Sequence, residues 1–315
     1  MHCALEWDTL SADLWSERFA TIRRSTLLQS EAYAAATCPA SGQRPRRALI
    51  RIDGAEAGLV QIQEAALFRR TIHALVLDRG PLWFDGFGSS AHFKSFFQRL
   101  TKDFPARFGR KRRLIAEMPA RFASEVFADV DAVALPDRPG YQTIWLDLTK
   151  DEDALRKAMK AKWRNMLNKA EKLDLSVDWD WSGLTAGAFV AHYANDQREK
   201  GYGGATPEAL HTLAKAFQPS GQAGIAVAFS GDVPAAGMLV LCHGNSATYQ
   251  AGWVLPEGRK TAANHLLIWQ MMLALKARGI TDLDLGGIND TDAIGIRRFK
   301  EGLGGQCVTL PCQHR

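Results

Sequence analysis

Two stretches far apart in the chain follow the same pattern. "ALIRIDGAEAGLVQIQ", from Ala48 to Gln63, and "AVAFSGDVPAAGMLVLC", from Ala226 to Cys242, each read as strand, Asp/Gly turn, strand, and each restarts on Ala-Gly, at Ala57-Gly58 and Ala236-Gly237. Each is followed by a further β-like run ("IHALVLDRGPLW"; "ATYQAGWVL") and a loop. Then come an amphipathic helix ("SSAHFKSFFQRLTKDF"; "TAANHLLIWQMMLALKARG") and another strand ("RRLIAEMP"; "TDLDLGG"). Hairpins resemble one another by chance, but a matched order of meander, helix and strand on both sides points to one structural unit used twice. The length agrees, since 315 residues exceed what a single core usually serves.

The junction is marked by Pro136, Pro139 and Gly140, after which "YQTIWLDL" reads as the first strand of a second unit starting near residue 141. Thr149 with Asp151 or Glu152 then offers caps for a helix. In that helix Leu155, Met159, Trp163, Met166, Ala170 and Leu173 recur at three- and four-residue steps as one apolar stripe, with Lys157, Lys160 and Arg164 on another face. The net charge of +5 is concentrated here, because the basic residues between Lys150 and Lys172 outnumber the acids. A solvated surface explains that face, and so does a phosphate-bearing partner such as RNA.

Composition narrows the classes. With 46% hydrophobic and 23% charged residues the chain reads as globular, and no apolar run approaches the ~20 residues of a membrane span. The acidic N-terminus "MHCALEWDTLSADLW" does not read as a signal peptide, so the expected compartment is the cytoplasm. Five irregularly spaced cysteines suit reduced thiols, and "CVTLPC" lacks the second ligand pair of a zinc site, so no metal is expected. "GNSATY" misses a nucleophile elbow at its second glycine, and "GYGGAT" lacks the third glycine of a dinucleotide loop. "EGRKTAAN", Glu257 to Asn264, does sit between a strand and a helix, where free amides favour an anion, although a plain helix-start turn reads equally well.

That strand, loop and helix order resembles the GNAT acyltransferase superfamily. Its coenzyme A loop usually reads R/Q-x-x-G-x-G/A. Arg259, Lys260, Thr261, Ala262, Ala263 and Asn264 stand there in this chain, a departure that disfavours coenzyme A as donor. One branch is more similar. "LLQSEAY", "AGLVQI", "DRGPLW", "TIWLDLTKDEDALRKAMKAKWRNMLNKAEK", "AGMLVL", "YQAGW", "NHLLIWQMMLALKARGITDLDLGGI" and "GIRRFKEGLGG", in that order, resemble the FemAB-like aminoacyltransferases over almost the whole chain. The resemblance implies an α/β (α+β) fold of two tandem GNAT-like domains, each a mixed sheet flanked by helices. They are expected at residues 1–140 and 141–315, the second carrying the acyl-transfer site. It also implies transfer of an amino acid from aminoacyl-tRNA to an amine, most often on a peptidoglycan precursor, with no bound cofactor. Two alternatives stay open: an N-acyltransferase using acyl-CoA or an acyl carrier protein, and a non-catalytic RNA- or anion-binding protein. Oligomeric state is not legible.

Attack of an amine on an ester passes through an oxyanion, so a site of this kind must place two substrates and supply positive charge. The resemblance places a Phe-Lys pair beside the reacting centre, here Phe299-Lys300, with Lys300 stabilising the oxyanion or a nearby phosphate. Arg297 and Arg298 are phosphate-pairing candidates, with solvation of the turn the alternative. Gly286 and Gly287 mark a tight turn or a close approach to ligand. Asp282 and Asp284 share a strand face and read first as solvated edge-strand residues, with orientation of the amine as the alternative. "NDQREKGYGG" falls where the family holds its polar acceptor, which implies contacts from Arg198 and Tyr202, and from Arg79 of "DRGP". Tyr249 and Trp253 border the acyl pocket or pack the core. Arg259, Lys260, Lys157, Lys160 and Arg164 are the donor- or RNA-binding candidates.

Overall fold

A computed structural model describes residues 1–67, 72–288 and 294–315, and the chain forms two compact units. The first comprises residues 1–142 together with 308–315. Its elements are β1 (Cys3–Trp7), α1 (Ala12–Ala20), α2 (Glu31–Ser41), β2 (Arg44–Ile52), β3 (Ala55–Leu67), β4 (Ile72–Gly80) and β5 (Leu82–Trp83). They continue with α3 (Ser90–Asp103), β6 (Arg110–Ala116), α4 (Ala123–Phe127) and β7 (Ala134–Leu135). The second, residues 143–307, holds most of β8 (Gln142–Asp147), then α5 (Glu152–Ala158), α6 (Ala161–Glu171), β9 (Leu175–Asp180), α7 (Ala186–Lys200) and α8 (Pro207–Phe217). It continues with β10 (Ala223–Ser230), β11 (Val233–His243), β12 (Ser246–Val254), α9 (Pro256–Thr261), α10 (Ala263–Ala277), β13 (Asp282–Gly287) and α11 (Ile294–Glu301). The strands β14 (Gln306–Thr309) and β15 (Gln313–His314) close the chain.

Each unit is a mixed sheet with helices, as the repeat requires. The orders are β1-β2-β3-β4-β6-β15-β7, with β5 also on β3, and β14-β8-β13-β12-β11-β10-β9. The two quoted hairpins are β2-β3 and β10-β11, antiparallel, each with a register shift near its turn. Their matched glycines have a steric reason. A side chain at Gly58 would strike the Leu82 carbonyl, and one at Gly237 would strike the Trp253 indole. In each unit the next strand to the helix pairs in parallel, β4 with β6 and β12 with β13.

The cores follow the periodicity. In the first unit α3 buries Phe93, Phe96, Phe97 and Leu100 against the sheet. In the second, α10 packs Leu267, Met271, Met272 and Leu275 against Val240, Leu283 and Leu285. The basic helix differs from the expectation. It is two helices, broken where Met159 takes an extended conformation (ψ 144°) and the Lys160 amide leaves the helix to donate to the Gly302 carbonyl at 2.9 Å. The break rotates the second helix, so its buried line is Trp163, Leu167 and Ala170; Met166 is only half-buried and Leu173 is exposed.

The expected C-terminal unit ran to residue 315, but residues 308–315 return to the first unit. There His314 pairs with Leu114 of β6 and with Ala134 of β7, and its ring stacks on Phe127 at 3.7 Å. Patterning could not show this, because a two-residue strand has no periodicity. Deleting residues 310–315 uncovers the β6 edge and the buried Leu310 site. A loss of about 2–5 kcal/mol in unfolding free energy is expected by analogy with large core truncations, read by chemical denaturation. An unchanged midpoint shows that the tail adds nothing to that sheet.

Candidate active site

The parallel pair of the second unit is short. β12 and β13 are in register only over Ser246–Thr248 and Asp282–Asp284, although β12 runs on to Val254 and β13 to Gly287. The reason lies on the other side of β12. Opposite β11, Leu239 faces Ala251 and Val240 faces Tyr249, leaving Gln250 as a bulge. A bulge bends and twists the strand carrying it, so β12 turns away from β13. In the first unit, by contrast, β4 and β6 stay in register from His73 and Arg110 to Gly80 and Ala116, with one shift near the end.

Lys300 stands where β12 and β13 stop pairing. It is the penultimate residue of α11 and is buried, and its Nζ donates to the Gly287 carbonyl at 2.9 Å. The same Nζ lies 5.7 Å from the Tyr249 ring centre. Gly286 makes this possible twice over. Its φ of +74° is left-handed, and a side chain there would press on the Tyr249 carbonyl at 3.1 Å. Burial pulls the Lys300 ammonium down to about 8, while the Asp284 carboxylate opposes the fall.

The two aspartates are not edge-strand residues. β13 lies between β8 and β12, and Asp282 and Asp284 are both buried. Asp284 accepts from the Thr143 hydroxyl and from the Gly286 amide at 2.8 Å, and the Thr143 hydroxyl also reaches the Gly286 carbonyl at 3.0 Å. Asp282 accepts from the Thr281 hydroxyl at 2.7 Å. Asp284 therefore fixes the turn that presents the Gly287 carbonyl to Lys300.

Phe299 points into an aromatic group, its ring 5.7 Å from Trp163 and 5.0 Å from His265. His265 was not singled out from the sequence, since one histidine in an apolar helix carries no distinguishing signal. Burial lowers it to about 4, so its imidazole is neutral near pH 7. The group seats α11 against α6 and α10 and so sets the height of Lys300.

The other basic candidates divide. Arg297 pairs with Glu301 at 2.8 Å along α11, and Arg298 is exposed. Lys160 approaches the same carboxylate at 3.9 Å, and Arg297, with Lys160 and Arg298, depresses the Glu301 titration. Lys157 is exposed. Arg164 is turned inward as a helix stop, donating to the carbonyls of Lys157 at 3.0 Å and of Met159, which accounts for its position without an anion. The "RKTAAN" segment is no open loop. Pro256–Thr261 coil into α9, the Arg259 amide donates to Leu255, and Ala262 (φ 57°) caps that helix before α10 begins. Arg259 and Lys260 are exposed on it, Lys260 3.5 Å from Glu257.

Around the C-terminal end of α7, the Tyr202 hydroxyl donates to the buried Asp196 at 3.0 Å, and Lys200 pairs with that carboxylate. Burial and then Asp196 raise the Tyr202 hydroxyl. The Tyr249 hydroxyl is raised by burial first and then by Tyr193 and Asp196. Arg198 is exposed and bonds Asn195 at 3.2 Å. Trp253 is buried on Gly237 and His192, a core residue. Arg79 belongs to the first unit, buried on Glu117 at 2.8 Å with its guanidinium 4.8 Å from the Tyr141 ring. The stretch between β13 and α11, residues 289–293 of "GGINDTDAIGIRRFKEG", lies outside the described residues.

Residues 154–301 match the family model of the acetyltransferase (GNAT) domain. No protein of curated function matches the chain. Among solved structures it is similar to FemX, with a TM-score of 0.78 at 14% identity over 98% of this chain and 96% of that one. It is also similar to a conserved protein of unknown function from Bacteroides thetaiotaomicron (0.61, 11%, 99% and 98%). A third is the C-terminal domain of a putative lysylphosphatidylglycerol synthetase from Agrobacterium fabrum (0.52, 14%, 95% and 90%). The open parallel pair and the helix that closes it thus belong to a GNAT-type acyltransferase fold. Taken whole, the chain shares its fold with FemX, and its second unit carries the GNAT domain.

The buried lysine has a stability signature. In the folded state Lys300 titrates near 8 and in the unfolded chain near its usual 10.5. Between those values the unfolded chain holds the extra proton, so stability rises with pH across the window and is lost again as pH falls through 8. The rise is expected to be about 3 kcal/mol at most. Denaturation curves of the wild type and Lys300→Met measured from pH 7.5 to pH 10.5 should converge or cross only if Lys300 carries the effect; parallel curves refute it.

Proposed function

We propose that the protein transfers an aminoacyl group from aminoacyl-tRNA to an amine, at the open end of the β12-β13 pair in the second unit. The observation that carries the reading is the Lys300 ammonium, buried and aimed by one bond to the Gly287 carbonyl. A lysine has three donor hydrogens, so among the described residues two remain for a ligand. In a dry site they can meet the oxyanion that forms when the amine attacks the ester carbonyl. No covalent intermediate on the protein is needed. Phe299 acts as a positioning residue, because its ring fixes α11.

Tyr202, Tyr249 and Arg198 are proposed for the acceptor, a small amine or a peptidoglycan precursor; Arg79, in the first unit, is proposed separately as a substrate contact. Arg297, Arg298, Lys157, Lys160, Arg259 and Lys260 are proposed for donor phosphates, of which the side chains of Arg298, Lys157 and Arg259 have no hydrogen bond or ion pair to give up among the described residues. The donor reading is favoured over coenzyme A because α9 uses, for its own turns, amides that would otherwise wrap a pyrophosphate. One similar structure is the C-terminal domain of a putative lysylphosphatidylglycerol synthetase, a name that includes a lysyl group. No helix among the described residues is long and apolar enough to cross a membrane, and the cytoplasm, where charged tRNA is found, is the proposed compartment.

The test uses labelled aminoacyl-tRNA and a panel of amines. Transfer should require intact tRNA, and Lys300→Ala should lower the rate by about 10²–10³-fold while circular dichroism shows the fold retained. Transfer that persists after RNase treatment of the donor, or micromolar binding of coenzyme A by calorimetry, sinks the tRNA donor. A folded, fully active Lys300→Ala sinks the role of the lysine.

A further inference from the structure

The turn that leads into β6 takes no part in the site above. Its tip is Phe108, whose side chain is wholly exposed (106% relative accessibility). The turn is nevertheless built. Gly109 has φ +74°, the Arg110 amide donates to the Arg107 carbonyl at 2.8 Å, and the His73 amide binds the Gly109 carbonyl at 2.8 Å, tying the turn to β4. Arg107 and Lys111 are exposed and Arg110 is half-exposed. Among the described residues none of the three has an ion-pair partner, whereas their neighbours do: Arg112 is buried on Asp131, and Arg113 pairs with Asp78 at 3.3 Å.

An aromatic ring held in water among unneutralised cations matches an unpaired nucleotide, with a π-face for the base and guanidinium or ammonium groups for the phosphates on either side. A bilayer fits less well. Within two residues of Phe108 in the sequence the uncharged neighbours are Ala106 and Gly109, both small, which offers little apolar surface for an interfacial anchor. We propose that the Arg107–Lys111 turn is an RNA-contacting surface of the first unit. Phe108 stacks on an unpaired base, and Arg107, Arg110 and Lys111 bind the flanking phosphates. The proposal rests on the tRNA-donor reading and adds a contact remote in sequence from Lys300.

The experiment titrates the full chain against fluorescently labelled, deacylated bulk tRNA over a salt series, with phosphatidylglycerol vesicles as a parallel arm. Phe108→Ala should weaken tRNA binding by about 5- to 100-fold with the salt slope unchanged, and Phe108→Trp should restore it. Changing Arg107, Arg110 and Lys111 together to Gln should weaken binding and lower the slope of log K against log salt by about two to three. Phe108, Arg107 and Lys111 are exposed and Arg110 is half-exposed, and unchanged thermal melting of the variants verifies that only the surface was altered. The proposal is overturned if the wild type binds no tRNA, if both variants bind like the wild type, or if Phe108→Ala loses vesicle binding alone. RNase-sensitive transfer that is intact in both variants removes this contact and leaves the donor reading standing. Variant-sensitive tRNA binding without aminoacyl transfer does the reverse.

Discussion

A lysine ammonium withdrawn from water has to be held by fixed dipoles or lose its proton, and the second unit is arranged round that requirement. The Gly287 carbonyl receives the Lys300 Nζ, and Asp284 supplies a compensating charge while locking the Gly286 turn through Thr143. From there the dependence runs outward. Gly286 must lack a side chain so that Tyr249 and Lys300 can approach, β12 must bulge at Gln250 so that its pairing with β13 stops, and α11 must be seated by Phe299 on Trp163 and His265. A change at any of these moves the same ammonium group.

The two units show what separates a scaffold from a site. Both carry the meander, the helix and a parallel strand pair. In the first, β4 and β6 stay hydrogen-bonded along their length, and the far edge of β6 is covered by β15. Backbone groups there are spent on the sheet. In the second the pairing stops after three residues, and the freed end is where the charge sits. The difference is made by a bulge and a helix terminus rather than by a change of architecture.

Charge is distributed by the same logic. Of the basic face between Lys150 and Lys172, Arg156 pairs with Glu171 and lies over Trp269, Arg164 stops α5, and Lys169 donates to the Lys260 carbonyl at 2.7 Å. Much of the positive excess is therefore structural. Sequence patterning treats every solvent-side lysine or arginine alike, because periodicity reports a face and not a partner.

What the sequence determined by itself is the repeated order of strands and helices, the Ala-Gly restarts of both hairpins, and the Phe-Lys pair that sets the second unit apart from the first. Those features are local: alternation, spacing and turn chemistry are written within a few residues of one another. The tertiary structure alone decided that Asp282 and Asp284 are buried, that Leu167 replaces Met166 in the core, and that residues 308–315 return to the first sheet. It alone set His265 beside Phe299. Each of these depends on which strand lies next to which, or on a helix break fixed by a carbonyl more than a hundred residues away, and neither contact has a counterpart in the residues nearby.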